Sequence, residues 1–306
     1  MASSILIPSL RPLAIKSRCF ASSTAVVPRL SEEAVKQFEE DGATVVRQFF
    51  SPEWVEHLRE AAELNMKNPG PLCDEHVKPG QVLLERELFN EQRFYSFNRL
   101  LKSNVRPGRF HDDQFLWIRS EAMKRFIFES PAGELAKQLS TETATPWHND
   151  HSYWPLKGNQ VISLWLALDH VPKSCCIEYV KGSHKWELLH KLTSFSGDQD
   201  RYKAANVTSV AEIPDIDSMR DQVELLSWDL EPGDCLVHHS FAVHGAPGIS
   251  SSGNRRRAYA TRWAGDDVRY DPRPGTMEFM WKEKAGVDAK LPPGSPLESP
   301  LFPTVV

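Results

Sequence analysis

Val161-Ile162-Ser163-Leu164-Trp165-Leu166-Ala167-Leu168 is an almost unbroken apolar run that opens on two β-branched residues. It reads as a buried strand. Shorter stretches of the same kind follow. Cys176-Ile177-Glu178-Tyr179-Val180 ends at Lys181-Gly182-Ser183, Glu224 to Leu230 leads into the turn Glu231-Pro232-Gly233-Asp234, Cys235-Leu236-Val237-His238-His239 comes next, and Arg257 to Trp263 is last. Short strands separated by Gly/Pro turns predict a mainly β fold of the sandwich or jelly-roll type. Residues 187–220 interrupt them as a polar excursion without a clear period.

Working outward, the N-terminal half is helical. Ser31-Glu32-Glu33 offers an N-cap followed by acidic residues in the first turn. Asp41-Gly42 turns the chain into a short strand, Ala43 to Arg47, and Ser51-Pro52-Glu53 places Ser at N-cap and Pro at N1 of a second helix through Asn65. Phe115-Leu116-Trp117 begins another helical stretch, and Ser130-Pro131-Ala132 starts one ending near Leu139. From Leu291 on, five prolines predict an extended or disordered tail.

The chain has 306 residues, a formal net charge of −5, 41% hydrophobic and 25% charged residues. These values exclude collagen, a disordered acidic tail and a polybasic nucleic-acid binder. No run of about 18 uninterrupted apolar residues occurs, so no membrane-spanning helix is expected. Five cysteines, with Cys175 and Cys176 adjacent, do not form a disulfide framework and fit a reducing compartment. The charge is uneven: residues 1–30 carry Arg11, Lys16, Arg18 and Arg29 and no acid, which leaves 32 basic against 41 acidic residues elsewhere. An acid-free, Arg- and Ser-bearing start fits a mitochondrial transit peptide, with a disordered tail as the alternative. The expected organisation is residues 1–30 as that segment, 31–285 as a single domain and 286–306 as the Pro-rich tail. The expected location is the mitochondrial matrix, with the cytoplasm as alternative.

The chemistry gathers at Thr145-Pro146-Trp147-His148-Asn149-Asp150. On an extended segment residues two apart point to one side, so His148 and Asp150 can aim an imidazole and a carboxylate at one point. His244 follows 94 residues after Asp150, just past a predicted strand. Two imidazoles and one carboxylate make the facial triad used for non-haem Fe(II). An H-x-D pair alone is weak, and His111-Asp112-Asp113 is a second one in this chain. His151 is expected to face away at the surface, His184 to be structural, and one of His238 and His239 to face inward. Tyr153 and Trp154 fit either the substrate mouth or the core. A basic cluster, Arg255-Arg256-Arg257, lies 11 to 13 residues past His244. A guanidinium there can bind a carboxylate in two-pronged fashion, and strand alternation puts Arg256, Ala258, Ala260 and Arg262 on one face.

Together His148-Asn149-Asp150, His244-Gly245-Ala246-Pro247-Gly248, Arg255-Arg256-Arg257-Ala258, Tyr179-Val180-Lys181-Gly182-Ser183-His184 and Arg262-Trp263-Ala264-Gly265-Asp266-Asp267 resemble the phytanoyl-CoA dioxygenase family over about residues 31–285. The resemblance implies a double-stranded β-helix (jelly roll, cupin-like) and an Fe(II)/2-oxoglutarate-dependent dioxygenase with O2 as cosubstrate. Such an enzyme hydroxylates or otherwise oxidises a small organic substrate while 2-oxoglutarate is decarboxylated to succinate and CO2. It implies His148, Asp150 and His244 as iron ligands. The family's cosubstrate arginine precedes a basic and a small apolar residue, which matches Arg256, with Arg255 as the fallback. Trp165, and more weakly Ser163, would lie beside 2-oxoglutarate.

One departure stands out. Family members carry a further strand before the iron motif, and here Leu139-Ser140 passes almost directly to Thr145, as if one strand near 140 were missing. A catalytically impaired member acting as a ligand- or protein-binding module is therefore the competing reading, and a zinc hydrolase is a third. The expected partner is a small-molecule substrate, with no basic site for a CoA phosphate, no nucleic acid and no membrane span. The substrate and the oligomeric state stay open.

Overall fold

The structure, a computed structural model, describes residues 29–77, 110–133, 135, 147–193, 202, 210–247, 256–274, 276–277, 286, 288–299 and 301–305. Residues 1–28 of the expected transit segment, Arg255 and the stretch around residue 140 with its missing strand lie outside the described residues.

Helix α1 (Glu32–Asp41) starts where the Ser31 side chain accepts from the Ala34 amide, and it ends at Gly42, held in the left-handed region at φ 83°. A Cβ on Gly42 would collide with the His184 ring, so both the conformation and the space demand glycine. Strand β1 (Ala43–Val46) follows, then α2 (Pro52–Lys67) with proline in its first turn. Among the described residues a small ribbon of β2 (Asp74–Val77) and β3 (Phe110–Asp112), a short helix α3 (Leu116–Arg119) and α4 (Glu121–Glu129) follow.

The second half is the expected β region. It contains β4 (Leu156–Lys157), β5 (Val161–Ala167), β6 (Glu178–Val180), β7 (Leu225–Leu226), β8 (Cys235–His239), β9 (His244–Gly245), β10 (Ala258–Ala264) and β11 (Arg269–Tyr270). The major sheet runs β1-β8-β5-β10, the minor sheet β7-β6-β9, and β11 pairs with β4, all antiparallel. Strand β5 explains why its sequence lacks polar alternation: both faces are covered. Ile162, Leu164 and Leu166 pack outward with Phe38, Leu58 and Phe126 of the helices. Trp165 and Ala167 pack inward with Leu236, Tyr179 and Leu226, joining the two sheets. Helices on one face of a sandwich with a shared inner core are the jelly-roll, cupin-like arrangement.

Two local expectations are corrected, and a third is narrowed. The strand expected over Glu224–Leu230 is reduced to Leu225–Leu226, because the chain leaves the ladder there, Asp229 accepts from the Lys173 amide and Leu230 bridges to Val171. The strand expected from Cys176 begins at Glu178, because Lys173–Cys175 winds into a 3-10 turn. The C-terminal segment, expected to be extended or disordered, is docked: Ser295 O accepts from the Tyr270 amide at 2.8 Å, and Leu301 is buried with Leu72 and Tyr270. Apolar residues between the prolines supply the contact that composition alone concealed.

Candidate metal centre

His148 reaches the site through a backbone bridge. Its amide donates to His244 O at 3.0 Å, and the His244 amide donates back to His148 O at 2.9 Å. This reciprocal pair brings the two imidazoles together, tilted by 51° with centroids 4.4 Å apart. Asp150 arrives differently from the extended geometry expected of the H-x-D spacing. It opens a 3-10 turn, Asp150–Ser152, capped by Asn149, whose Oδ1 accepts from the Ser152 amide and hydroxyl. Asn149 also donates to Leu188 O at 2.8 Å. The turn swings the carboxylate back to 3.2 Å from His148 Nε2.

One ligand atom from each of His148, Asp150 and His244 lies within 4.8 Å of the other two, and all three residues are buried. The His244 Nδ1 is 2.6 Å from Ala242 O, a contact that requires the proton on Nδ1 and turns the Nε2 lone pair toward the cluster. Two imidazoles and one carboxylate, converging on one buried point, fit a divalent iron.

Behind the triad sits His238, one of the two histidines expected to compete for an inward position. It is fully buried, its Nδ1 is 3.0 Å from the Tyr179 hydroxyl, and its ring lies 4.9 Å from that of His244. Burial drives its pKa well down, so it stays neutral. Its strand neighbour His239 faces the opposite side, against Phe38 and His184. Tyr179 belongs to the Tyr179 to His184 stretch that carries the family resemblance, but its place behind the triad was not among the expected site residues. Strand alternation from the inward Ile177 would have found it.

The inner face of the major sheet can be followed row by row. Ser163 pairs with both His238 and Arg262, Trp165 with Leu236 and Ala260, and Ala167 with Ala258. Ser163 is buried beside His238, at the triad end. Trp165 occupies the middle, half-buried among Leu236 and Trp228. Arg256 continues the face beyond Ala258. Its guanidinium is largely buried and donates to the Cys175 carbonyl. Arg257 takes the other side, pairing with Asp169 at 2.7 Å and Glu63 at 2.8 Å. Arg262, exposed at the triad end, lies over Trp154 at 5.7 Å.

His151 is a correction. It is buried, not at the surface, because the 3-10 turn folds it beneath residues 240–241. Its Nδ1 lies 2.8 Å from Ser240 Oγ, and its ring stacks on Phe241 at 4.0 Å. Burial and the nearby Arg273 charge push its pKa down to about 3. Tyr153 is core, with its hydroxyl bonded to both the amide and the carbonyl of Thr193 at 2.9 Å. His184 is structural, with Nε2 3.2 Å from Glu39 O. Asp113 holds the Gly70 amide and Arg119, away from the triad.

Similarity to known proteins agrees with this geometry. The family model described as Phytanoyl-CoA dioxygenase (PhyH) matches residues 38–258. A probable phytanoyl-CoA dioxygenase of Caenorhabditis elegans is 26% identical over 143 residues, which is 45% of this chain and 42% of that one, so the match spans less than half of the curated relative. Among solved structures, the non-haem α-ketoglutarate-dependent carbocyclase SnoK from nogalamycin biosynthesis superposes with a TM-score of 0.59 at 19% identity, over 90% of this chain and 97% of that one. EctD from S. alaskensis, solved with 2-oxoglutarate and 5-hydroxyectoine, gives 0.52 at 15% identity, over 90% and 87%. These structural likenesses establish the fold. The family match covers most of the chain: it belongs to the phytanoyl-CoA dioxygenase family of non-haem iron, 2-oxoglutarate-dependent oxygenases, whose members use Fe(II), 2-oxoglutarate and O2.

Proposed function

We propose that this chain is an active Fe(II)/2-oxoglutarate-dependent dioxygenase that oxidises a small organic substrate. His148, Asp150 and His244 hold the metal, and Arg256 takes the far carboxylate of 2-oxoglutarate. The observation that carries the proposal is the buried convergence of the three ligand atoms within 4.8 Å.

Bound iron, with 2-oxoglutarate and O2, supplies the oxidising power, and the protein supplies position and dryness. The Ala242 carbonyl fixes the His244 tautomer. The Asn149-capped turn fixes Asp150. His238 stays neutral behind them, so it adds no positive charge to repel the metal. Trp165 and Ala260 form an apolar row between the triad end and Arg256, suited to contact the methylene part of a dicarboxylate. Along β10, Arg256 and Arg262 mark the two ends of this face, six residues or about 20 Å apart. A cosubstrate held at the Arg256 end leaves the Arg262 and Trp154 end for substrate.

The test is succinate formation from 2-oxoglutarate with added Fe(II), lost in His148→Ala. Binding of Mn(II) and 2-oxoglutarate without any succinate, across a broad substrate panel, would instead favour the non-catalytic binding module. Turnover needing neither O2 nor 2-oxoglutarate would favour a hydrolase.

A further inference from the structure

The turn that presents Asp150 is held from outside the region matched by the family model. Six successive carbonyls, His151 through Leu156, accept hydrogen bonds from the segment 271–277. Pro155 O accepts from the Asp271 amide at 2.8 Å and Tyr153 O from the Met277 amide at 2.9 Å. The other four converge on one guanidinium. Arg273 Nη2 donates to His151 O at 2.9 Å and Trp154 O at 2.6 Å, with Ser152 O at the edge of range at 3.4 Å, and Nη1 donates to Leu156 O at 3.1 Å. Asp271 Oδ2 lies 3.2 Å from Nη1 and balances the charge. The Arg273 carbonyl is itself held by Thr276, through its amide at 3.2 Å and its hydroxyl at 2.8 Å. On its opposite side the turn is fixed by the His151 amide donating to Ser240 O at 3.1 Å.

We infer that Arg273 is a positioning residue for the metal: by gathering the carbonyls of the 151–156 segment, it fixes the turn from which Asp150 projects and so sets where that carboxylate lies relative to His148 and His244. The chemistry requires arginine. Only a planar fork carrying five N–H donors reaches carbonyls four and five residues apart, and it stays charged at every working pH. A lysine puts three donors on one atom and cannot span His151 O and Leu156 O together. Groups that orient metal ligands typically change metal affinity 10–100-fold when removed.

This inference rests on the triad holding a metal, and one titration separates the two. Co(II) is titrated anaerobically into the full-length chain, reading both the dissociation constant and the visible ligand-field spectrum, which reports geometry independently of turnover. Arg273→Lys and Arg273→Gln are each expected to weaken Co(II) binding by about 10–100-fold and to alter the spectrum. Lys is the milder change and is read if Gln does not fold. Arg47→Ala, which removes a contact to Asp234 remote from the triad, should keep wild-type affinity and spectrum. Wild-type affinity and spectrum in the Arg273 variants would overturn the inference, as would an equal loss in Arg47→Ala. A wild-type protein whose Co(II) binding does not depend on His148 would overturn the reading of the triad itself, and this inference with it.

Discussion

Replacing Arg256 and Arg257 one at a time should separate cosubstrate binding from stability, because adjacent side chains point to opposite faces of the sheet. Arg256 lies on the inner side, with one N–H on the Cys175 carbonyl. Hydrogen bonds to a charged group are worth about 1.5–3 kcal/mol each. Losing the two-pronged grip on a carboxylate while keeping a positive charge, as in Arg256→Lys, should therefore cost about 3 kcal/mol, or roughly 100-fold in KM for 2-oxoglutarate. The effect on kcat at saturating cosubstrate should be much smaller. Arg257 lies outside, donating from Nε and Nη2 to Asp169 at 3.0 and 2.7 Å and from Nη1 to Glu63 at 2.8 Å. Its guanidinium is a quarter exposed and partly screened, so Arg257→Ala should cost about 1–2 kcal/mol of stability and leave KM for 2-oxoglutarate near wild type. Succinate production at varied 2-oxoglutarate, paired with chemical denaturation, reads both effects. A raised KM in Arg257→Ala together with an unchanged KM in Arg256→Lys would refute the assignment.

Phe126 is 1% exposed and packs against Phe50, Trp54 and Tyr259 on the helix side of the sheet, so Phe126→Ala should cost about 3–5 kcal/mol in urea denaturation with no change in metal affinity; a loss under 1 kcal/mol would argue against that core. Gly42→Ala should cost about 2 kcal/mol or more, since it combines a left-handed backbone at φ 83° with displacement of the His184 ring; a neutral result in the same measurement would contradict both constraints. The stability of the metal-free protein should fall as pH drops from about 6.5 toward 4. Burial pushes the His239 pKa down to about 3 and lowers that of His184, so the unfolded chain binds protons there that the native state refuses, each contributing up to about 1.4 kcal/mol per pH unit. Asp234 acts at lower pH: burial opposes its ionisation, but the Gln48 and Glu231 amides and the Gln48 and Arg47 side chains outweigh that and hold its pKa below the usual range, so its contribution is lost as pH falls through that depressed value. Urea midpoints that stay flat between pH 7 and 5 would contradict the histidine reading.

Much of this fold is legible because its signals are local. Ser31 caps its helix, Pro52 opens the next, and the β5 run is long enough to be read as a strand covered on both faces. The triad is legible because its three ligands belong to two short motifs. Less legible is anything decided by tertiary contacts. The H-x-D spacing suggested extended chain, yet Asn149 caps a 3-10 turn, and this change of geometry buries His151 where alternation had put it outside. The segment from Leu291 onward, expected to be extended or disordered, is docked by isolated apolar residues such as Leu301. Arg273 gives no periodic or motif signal, because its partners are backbone carbonyls more than a hundred residues away.

The most direct measurement is an anaerobic titration of 2-oxoglutarate into the Fe(II)-loaded protein, followed by visible absorption. Chelation of iron by the keto-acid end produces a charge-transfer band. The buried triad requires that the band saturate at one equivalent and vanish in His148→Ala and His244→Ala. No band in the wild-type protein, or an undiminished band in both variants, would show that His148, Asp150 and His244 do not form the iron centre.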